Sequence, residues 1–166
     1  MEPRTATSTI TVKAAATEVW SLLADEFIDI AAWSPGVNSS GPNPATPDGV
    51  NGSRYGGRVA DIEGLGHTDV RLTAYDAQTR TLTYTVQAEN IPPFIEKLTN
   101  TWTITADGAE RSTIDAEVGI TIAASMSDNE QANKAVDSML AAGTGASTNL
   151  KTYIESDDYQ KAANRV

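Results

Sequence analysis

The 166-residue chain has no cysteine and a single histidine, His67. That excludes disulfides, thiolate nucleophiles and cysteine metal sites, and it leaves too few imidazoles for a usual zinc set. No metal or other cofactor is expected. Basic residues are also scarce: 12 Lys and Arg against 22 Asp and Glu, for a net charge of −10 and a pI near 4.4. An acidic surface without a Lys/Arg cluster repels phosphate backbones, so nucleic acid is not an expected partner. Long apolar runs are missing, and nothing approaches the ~20 residues needed to cross a bilayer. Met1-Glu2-Pro3-Arg4-Thr5 has no apolar signal core. Gly56-Gly57 and Gly64-Leu65-Gly66 lack the lysine and the strand–turn–helix setting of a phosphate loop. These absences point to a soluble, cytoplasmic protein. One domain over 1–166 is expected, since a chain of this length can bury roughly 70% of its unfolded surface without staples.

What is present is a strong alternation of periods. Ser8-Thr9-Ile10-Thr11-Val12 alternates and is β-branched, predicting a strand. Ala15 to Asp25 carries Val19, Trp20, Leu22 and Leu23 at helical spacing, and Phe27, Ile28 and Ile30 suggest a second short helix before Trp33-Ser34-Pro35-Gly36. Residues 38–52 are rich in Asn, Ser, Gly and Pro and read as a loop. Strand-like runs follow at about 53–60, 67–75, 80–88, 98–106 and 112–122, with short polar links at Asp76-Ala77-Gln78-Thr79 and Asp107-Gly108-Ala109. Such links make antiparallel hairpins. Asn90-Ile91-Pro92-Pro93-Phe94 breaks the pattern as an apolar loop.

The period then becomes helical. Ser127 and Glu130 have capping-box spacing, and Val136, Leu140, Gly143, Ser147, Leu150 and Ile154 recur on one face. The expected fold is α+β: a strand, two short helices, a curved antiparallel meander and a long C-terminal helix covering its apolar face.

The middle of that helix, Ala141-Ala142-Gly143-Thr144-Gly145-Ala146-Ser147, is built of small residues. Two readings stand: a break between two helices, or a stretch too short to fill the space opposite the sheet. In the second, the space belongs to a ligand or water. Across it the strands would present Tyr84 and Val86, then Leu98, Trp102 and Ile104. Each aromatic alone fits ordinary core packing; together, facing small residues, they outline a cavity.

Ile10-Thr11-Val12-Lys13-Ala14-Ala15 with Thr17-Glu18-Val19-Trp20 resembles the opening of START/Bet v1-like proteins of the polyketide cyclase/dehydrase and lipid-transport type. Ala16 stands where a proline is usual. Trp33-Ser34-Pro35-Gly36-Val37 matches the segment after their short helices. Val70-Arg71-Leu72-Thr73-Ala74-Tyr75-Asp76 and Arg80-Thr81-Leu82-Thr83-Tyr84 resemble the branch holding plant abscisic-acid receptors and onion lachrymatory-factor synthase. The resemblance covers about residues 8–156. It implies a helix-grip fold, a sheet of six or seven strands wrapped round the long helix, with a small hydrophobic, polyketide-like molecule inside.

The resemblance also implies a candidate site. Glu63-Gly64-Leu65-Gly66 takes the place of a gate loop, which equally suits a tight turn, and His67 lies beside it. Arg54 takes the place of the branch enzymes' arginine, and Val70 that of their glutamate, with Asp69 adjacent. Asn149, before Leu150, matches a ligand-contacting asparagine, and Glu117 a nearby glutamate. Strand alternation instead points Ala116, Val118 and Ile120 inward, leaving open whether Glu117 or Val118 faces the interior. Arg54, Tyr84 and Glu117 are the catalytic candidates. Trp33, Leu65, Val70, Leu72, Val86 and Phe94, with Trp102, Ala142, Gly145, Asn149 and Tyr153, are the expected ligand-lining residues. The expected function is a cyclase or dehydratase working by orientation and one or two acid–base groups, as a monomer or homodimer. The other reading is a non-catalytic binder, carrier or sensor.

Overall fold

The computed structural model describes residues 3–156 and 159. β1 (Arg4–Val12) leads into α1 (Ala16–Trp20), a π-helical turn over Ser21–Asp25 and a 3-10 segment over Phe27–Ala32. Then come β2 (Val37–Pro42), β3 (Gly57–Ile62), β4 (Gly66–Asp76), β5 (Thr81–Ala88), β6 (Ile95–Ala106) and β7 (Ser112–Ile122). A 3-10 turn over Ala124–Met126 precedes α2 (Glu130–Thr144) and α3 (Ala146–Ile154). The strands form one antiparallel sheet in the order β1-β7-β6-β5-β4-β3-β2. This is the helix-grip arrangement, with seven strands.

β2 lies inside the segment expected to be loop. It pairs only with β3, through a bulge, and is the sheet's edge. Asn38-Ser39-Ser40-Gly41-Pro42 has no apolar alternation because an edge strand makes its pairing through backbone and tolerates proline. β3 starts at Gly57, later than expected, because Ser53 closes a turn: its Oγ accepts from the Val50 N–H at 2.7 Å and donates to the Tyr55 carbonyl at 2.8 Å. The long helix begins at Glu130 and is capped by Asn129, whose Oδ1 accepts from the Ala132 N–H at 2.9 Å. Ser127, the expected cap, donates instead to the Ala124 carbonyl within the preceding turn.

The helix breaks between Thr144 and Ala146, at Gly145. Its small residues serve close contact. A Cβ on Gly143 would stand 2.6 Å from Val118 Cγ2, so the missing side chain is what lets α2 lie on β7. Ser147 is fully buried, with its Oγ 3.3 Å from Ser8 Oγ on β1. Val136 and Leu140 of α2 pack with Leu98, Val118, Ile120 and Ile122. Leu150 and Ile154 of α3 join the larger cluster of Val12, Val19, Trp20, Phe27 and Trp102. Each of those two buried aliphatic side chains contributes about 1.5–3 kcal/mol.

β5 pairs with β6 only over Thr81↔Thr103 to Thr85↔Thr99. Beyond that point the strands part. β5 continues along β4 to Thr68↔Ala88, and β6 continues along β7 to Ile95↔Ile122. The chain from Glu89 to Phe94 spans the gap.

Candidate functional site

The inner face of the sheet carries a polar group where apolar packing would be cheaper. Arg58, on β3, shares strand parity with buried Ala60 and is itself only 4% exposed. Its guanidinium reaches across β4 and lies 4.2 Å from the Phe27 ring centre and 5.1 Å from that of Tyr84. Nη1 donates to the Phe27 carbonyl at 3.1 Å. No carboxylate of the described residues forms an ion pair with it. Burial pushes its pKa below the ordinary arginine value, while the Tyr84 oxygen works the other way. An arginine nonetheless keeps its charge in a protein, so this is a buried cation held by aromatic faces and one carbonyl.

Tyr84, on β5, is edge-on to Phe27 at 5.6 Å and accepts the indole N–H of Trp102 at 3.2 Å. Trp102, on β6, stands edge-to-face with Trp33 at 6.3 Å. The 3-10 segment thus brings Phe27 and Trp33 down onto three strands, and the four aromatic residues form one nest, two of whose rings, Phe27 and Tyr84, face the Arg58 cation.

A cleft of about 310 Å³ opens where β5 and β6 part. Its walls are Val86 and Ala88 on one side, Ile95 and Leu98 on the other, and Ile91, Pro92 and Pro93 across the end, with exposed Gln87, Glu96 and Lys97 completing the lining. Val86 and Leu98 lie on the inner face. Each is two or four residues from Tyr84 or Trp102 on its own strand, so the cleft and the nest are roughly 7–14 Å apart along the strands. Asn100, half-buried between Leu98 and Trp102, lies opposite Tyr84 in the register. A smaller crevice of about 40 Å³ lies outside Trp33, lined by Leu22, Ala32 and Tyr153 with Glu26 and Asp29 at its rim. A recess of about 620 Å³ between Lys13–Glu18 and the β6–β7 turn is lined by Lys13, Glu18, Glu110 and Arg111 and sits at the other end of β6. The cleft instead borders Val86 and Leu98, on the same strands and the same face as Tyr84 and Trp102, so the nest and the cleft are the candidate site.

The expected residues divide clearly. Trp33, Val70, Leu72, Tyr84 and Trp102 are buried on the inner face. Leu65, Val86, Phe94, Asn149 and Tyr153 are half-buried. Of these, Val86 lines the cleft and Tyr153 the small crevice. Arg54 is exposed, stacked on Tyr55 at 5.2 Å, because it falls in the turn before β3. Glu117 is exposed on the outer face, between Thr7 and Thr101, and Val118 is the inward neighbour. Ala142 and Gly145 are exposed, on the helix face turned from the sheet, and border none of those three recesses. Glu63–Gly66 is a tight turn, with Gly64 at φ +86° and Gly66 at φ +74°, tied down by the Asn90 N–H donating to the Leu65 carbonyl. His67 is exposed at the start of β4. Arg58, Phe27 and Asn100 are additions to the sequence-based site. For Arg58 the available signal was its shared parity with Ala60.

Among the described residues no group of three or more His, Asp and Glu is placed to hold a metal, and no helix is long and apolar enough to cross a membrane.

A family model described as polyketide cyclase/dehydrase and lipid transport matches residues 3–155. None of the curated proteins matches the sequence. Among solved structures, the Zhui aromatase/cyclase from Streptomyces sp. R1128 superposes with a TM-score of 0.70 at 16% identity, over 98% of this chain and 95% of that one. Norcoclaurine synthase from Thalictrum flavum, in complex with dopamine and hydroxybenzaldehyde, gives 0.65 at 12% identity, over 99% and 88%. A START superfamily protein from Mycobacterium smegmatis gives 0.56 at 14% identity, over 85% and 94%. At these identities the likeness is one of fold.

Proposed function

The chain belongs to the polyketide cyclase/dehydrase and lipid-transport family, within the START/Bet v1-like superfamily, and we propose that it binds a small, largely apolar molecule through the cleft between β5 and β6. We propose further that it acts on that molecule as a cyclase or dehydratase. The observation that carries this reading is Arg58: a buried cation with no carboxylate partner among the described residues, against the ring of Tyr84. Such a group is costly to keep in a core unless something negative, or becoming negative, meets it.

Ring closure by an enolate carbon attacking a ketone turns the ketone oxygen into an alkoxide. The Arg58 guanidinium would stabilise that charge, and the Tyr84 hydroxyl would give it a proton. Phe27, Trp33 and Trp102 would hold the apolar body of the substrate and fix the approach of its two reacting carbons, which alone supplies several kcal/mol. The enolising proton leaves to water in this scheme.

A second reading has its own support. No histidine or carboxylate of the described residues joins the Arg58–Tyr84–Trp102 cluster, so the general base of a cyclase has no protein candidate there. A carrier or sensor needs only the cation and the aromatic walls.

The experiment is incubation of the purified protein with a panel of aryl-substituted linear diketones, followed by mass spectrometry of bound and free material. Conversion of the diketone to a cyclic isomer of the same mass, resolved by chromatography, or to that isomer's elimination product one water lighter, faster than without protein and abolished by R58M, supports the enzyme. Tight binding across the panel with unchanged mass and unchanged chromatographic retention supports the carrier. No binding at all would remove both.

A further inference from the structure

One buried donor occupies the Tyr84 oxygen, and a buried cation lies over the ring that carries it. Trp102 gives its indole N–H to the Tyr84 hydroxyl at 3.2 Å, and the Arg58 guanidinium sits over the same tyrosine. Neither indole nor guanidinium can accept a hydrogen bond. A phenol has one proton to donate and two lone pairs. With the Trp102 N–H on one side of the oxygen, the Tyr84 proton points to the other, and no acceptor for it is found among the described residues. Tyr84 is 5% exposed and Trp102 2%, so bulk water is not freely at hand to take that proton.

We infer that Trp102 is a positioning residue that fixes Tyr84 as a hydrogen-bond donor, so that the site selects ligands presenting an acceptor-only oxygen, a ketone or enolate, over the corresponding alcohols. This rests on the proposed binding of an apolar ligand at the nest. An alcohol oxygen can also accept from Tyr84, but its own proton then faces Arg58 and the Tyr84 O–H, which are both donors. A buried proton without an acceptor is penalised, whereas a carbonyl carries none. If Trp102 lost its N–H, a Tyr84 lone pair would be released. The phenol could then rotate and accept from an alcohol, and selectivity would fall.

The test compares acetonaphthone with the naphthyl-ethanol obtained by reducing it, by isothermal titration of the full chain, in the wild type, Y84F and W102F. Melting temperatures are followed in parallel. In the wild type the ketone is expected to bind at least about tenfold tighter than the alcohol. Y84F should bind the two within about twofold of each other. W102F, which keeps an aromatic ring but loses the fused second ring and its N–H, should lose at least about a third of the selectivity on a logarithmic scale. Structural damage alone would weaken both ligands together and leave their ratio unmoved. Equal binding of ketone and alcohol by the wild type overturns the inference and leaves the ligand site standing. An unchanged ratio in folded W102F overturns the role of Trp102. Failure of the wild type to bind either compound removes the underlying site and the inference with it. The wild type and Y84F carry the comparison whether or not W102F folds.

Discussion

The Arg58 guanidinium meets Phe27 twice: it lies over the ring, 4.2 Å from its centre, and its Nη1 donates to the Phe27 carbonyl at 3.1 Å. One side chain therefore anchors the 3-10 segment to β3 and sets the cation's position. A buried charge held this way contributes little net stability, since desolvation offsets the attraction. R58M, which keeps length and apolar contact, is expected to leave the melting temperature unchanged or raise it. The same variant should lower affinity for ketone ligands at least about tenfold, as loss of a charge-assisted hydrogen bond would. Thermal melting and titration on the same sample check both halves. A large drop in melting temperature would mean that Arg58 is there for the fold.

Two glycines two residues apart should respond in opposite directions. Gly143→Val drives a side chain into Val118, already 2.6 Å from where a Cβ would be. It is expected to cost about 1–3 kcal/mol through overpacking. Gly145→Ala meets only carbonyls at ordinary contact distance, 3.4 and 3.6 Å, at a helical φ of −70°. It should stabilise by up to about 1 kcal/mol through reduced chain entropy in the unfolded state. Urea unfolding of the pair reads both signs.

The cleft between β5 and β6 can be filled without touching the nest. Ala88 is half-buried at its wall. A88W is expected to cut the association rate for an aryl ketone by at least about tenfold, or abolish binding, while the melting temperature stays within a few degrees. Stopped-flow quenching of tryptophan fluorescence in A88W and A88L, compared with the wild type, measures it. Unaltered rates in both would place the ligand's route elsewhere.

Acid should weaken the fold in part through two carboxylates. The Asp69 carboxyl is held below its ordinary value chiefly by the hydrogen bond from Arg71. For Glu155, burial pulls upward but is outweighed by the Lys13 backbone N–H at 3.0 Å and by Lys151 at 2.9 Å, and the net shift is downward. A carboxyl depressed in the folded state binds fewer protons there than in the unfolded chain. Its contribution is present above the unfolded pKa, about 4, and is lost as pH falls through the lower folded value. The melting temperature should therefore drop from about pH 5 downward, and less steeply in E155Q and D69N than in the wild type. Differential scanning calorimetry across that range tests the slope.

Much of the fold was legible because period carries it. The alternation in Thr81–Ala88 and Ser112–Ile122, and the helical spacing of Val136, Leu140, Leu150 and Ile154, reflect a one-sided core. β2 is hidden in the sequence because an edge strand pairs through its backbone, which needs no apolar alternation and tolerates Pro42. The site was only half legible. The resemblance to the branch enzymes points to Arg54 as the first-strand arginine, whereas the turn at Ser53 delays the strand to Gly57 and Arg58 is the arginine on its inner face. On the helix, spacing had put Gly143 and Ser147 on the inner face. By the same geometry Gly145 lies roughly 200° away from Gly143, on the solvent side. Small residues in that helix mark intimate packing against β7 and β1, a meaning that composition alone does not separate from empty space.

Past Thr85 and Thr99 the wall of this fold is already unzipped. A guest wider than the resting gap need break no ladder pairing to push Val86 and Leu98 further asunder. It has only to flex the short bridge through Pro92 and Pro93, like a jaw whose joint is the last threonine pair.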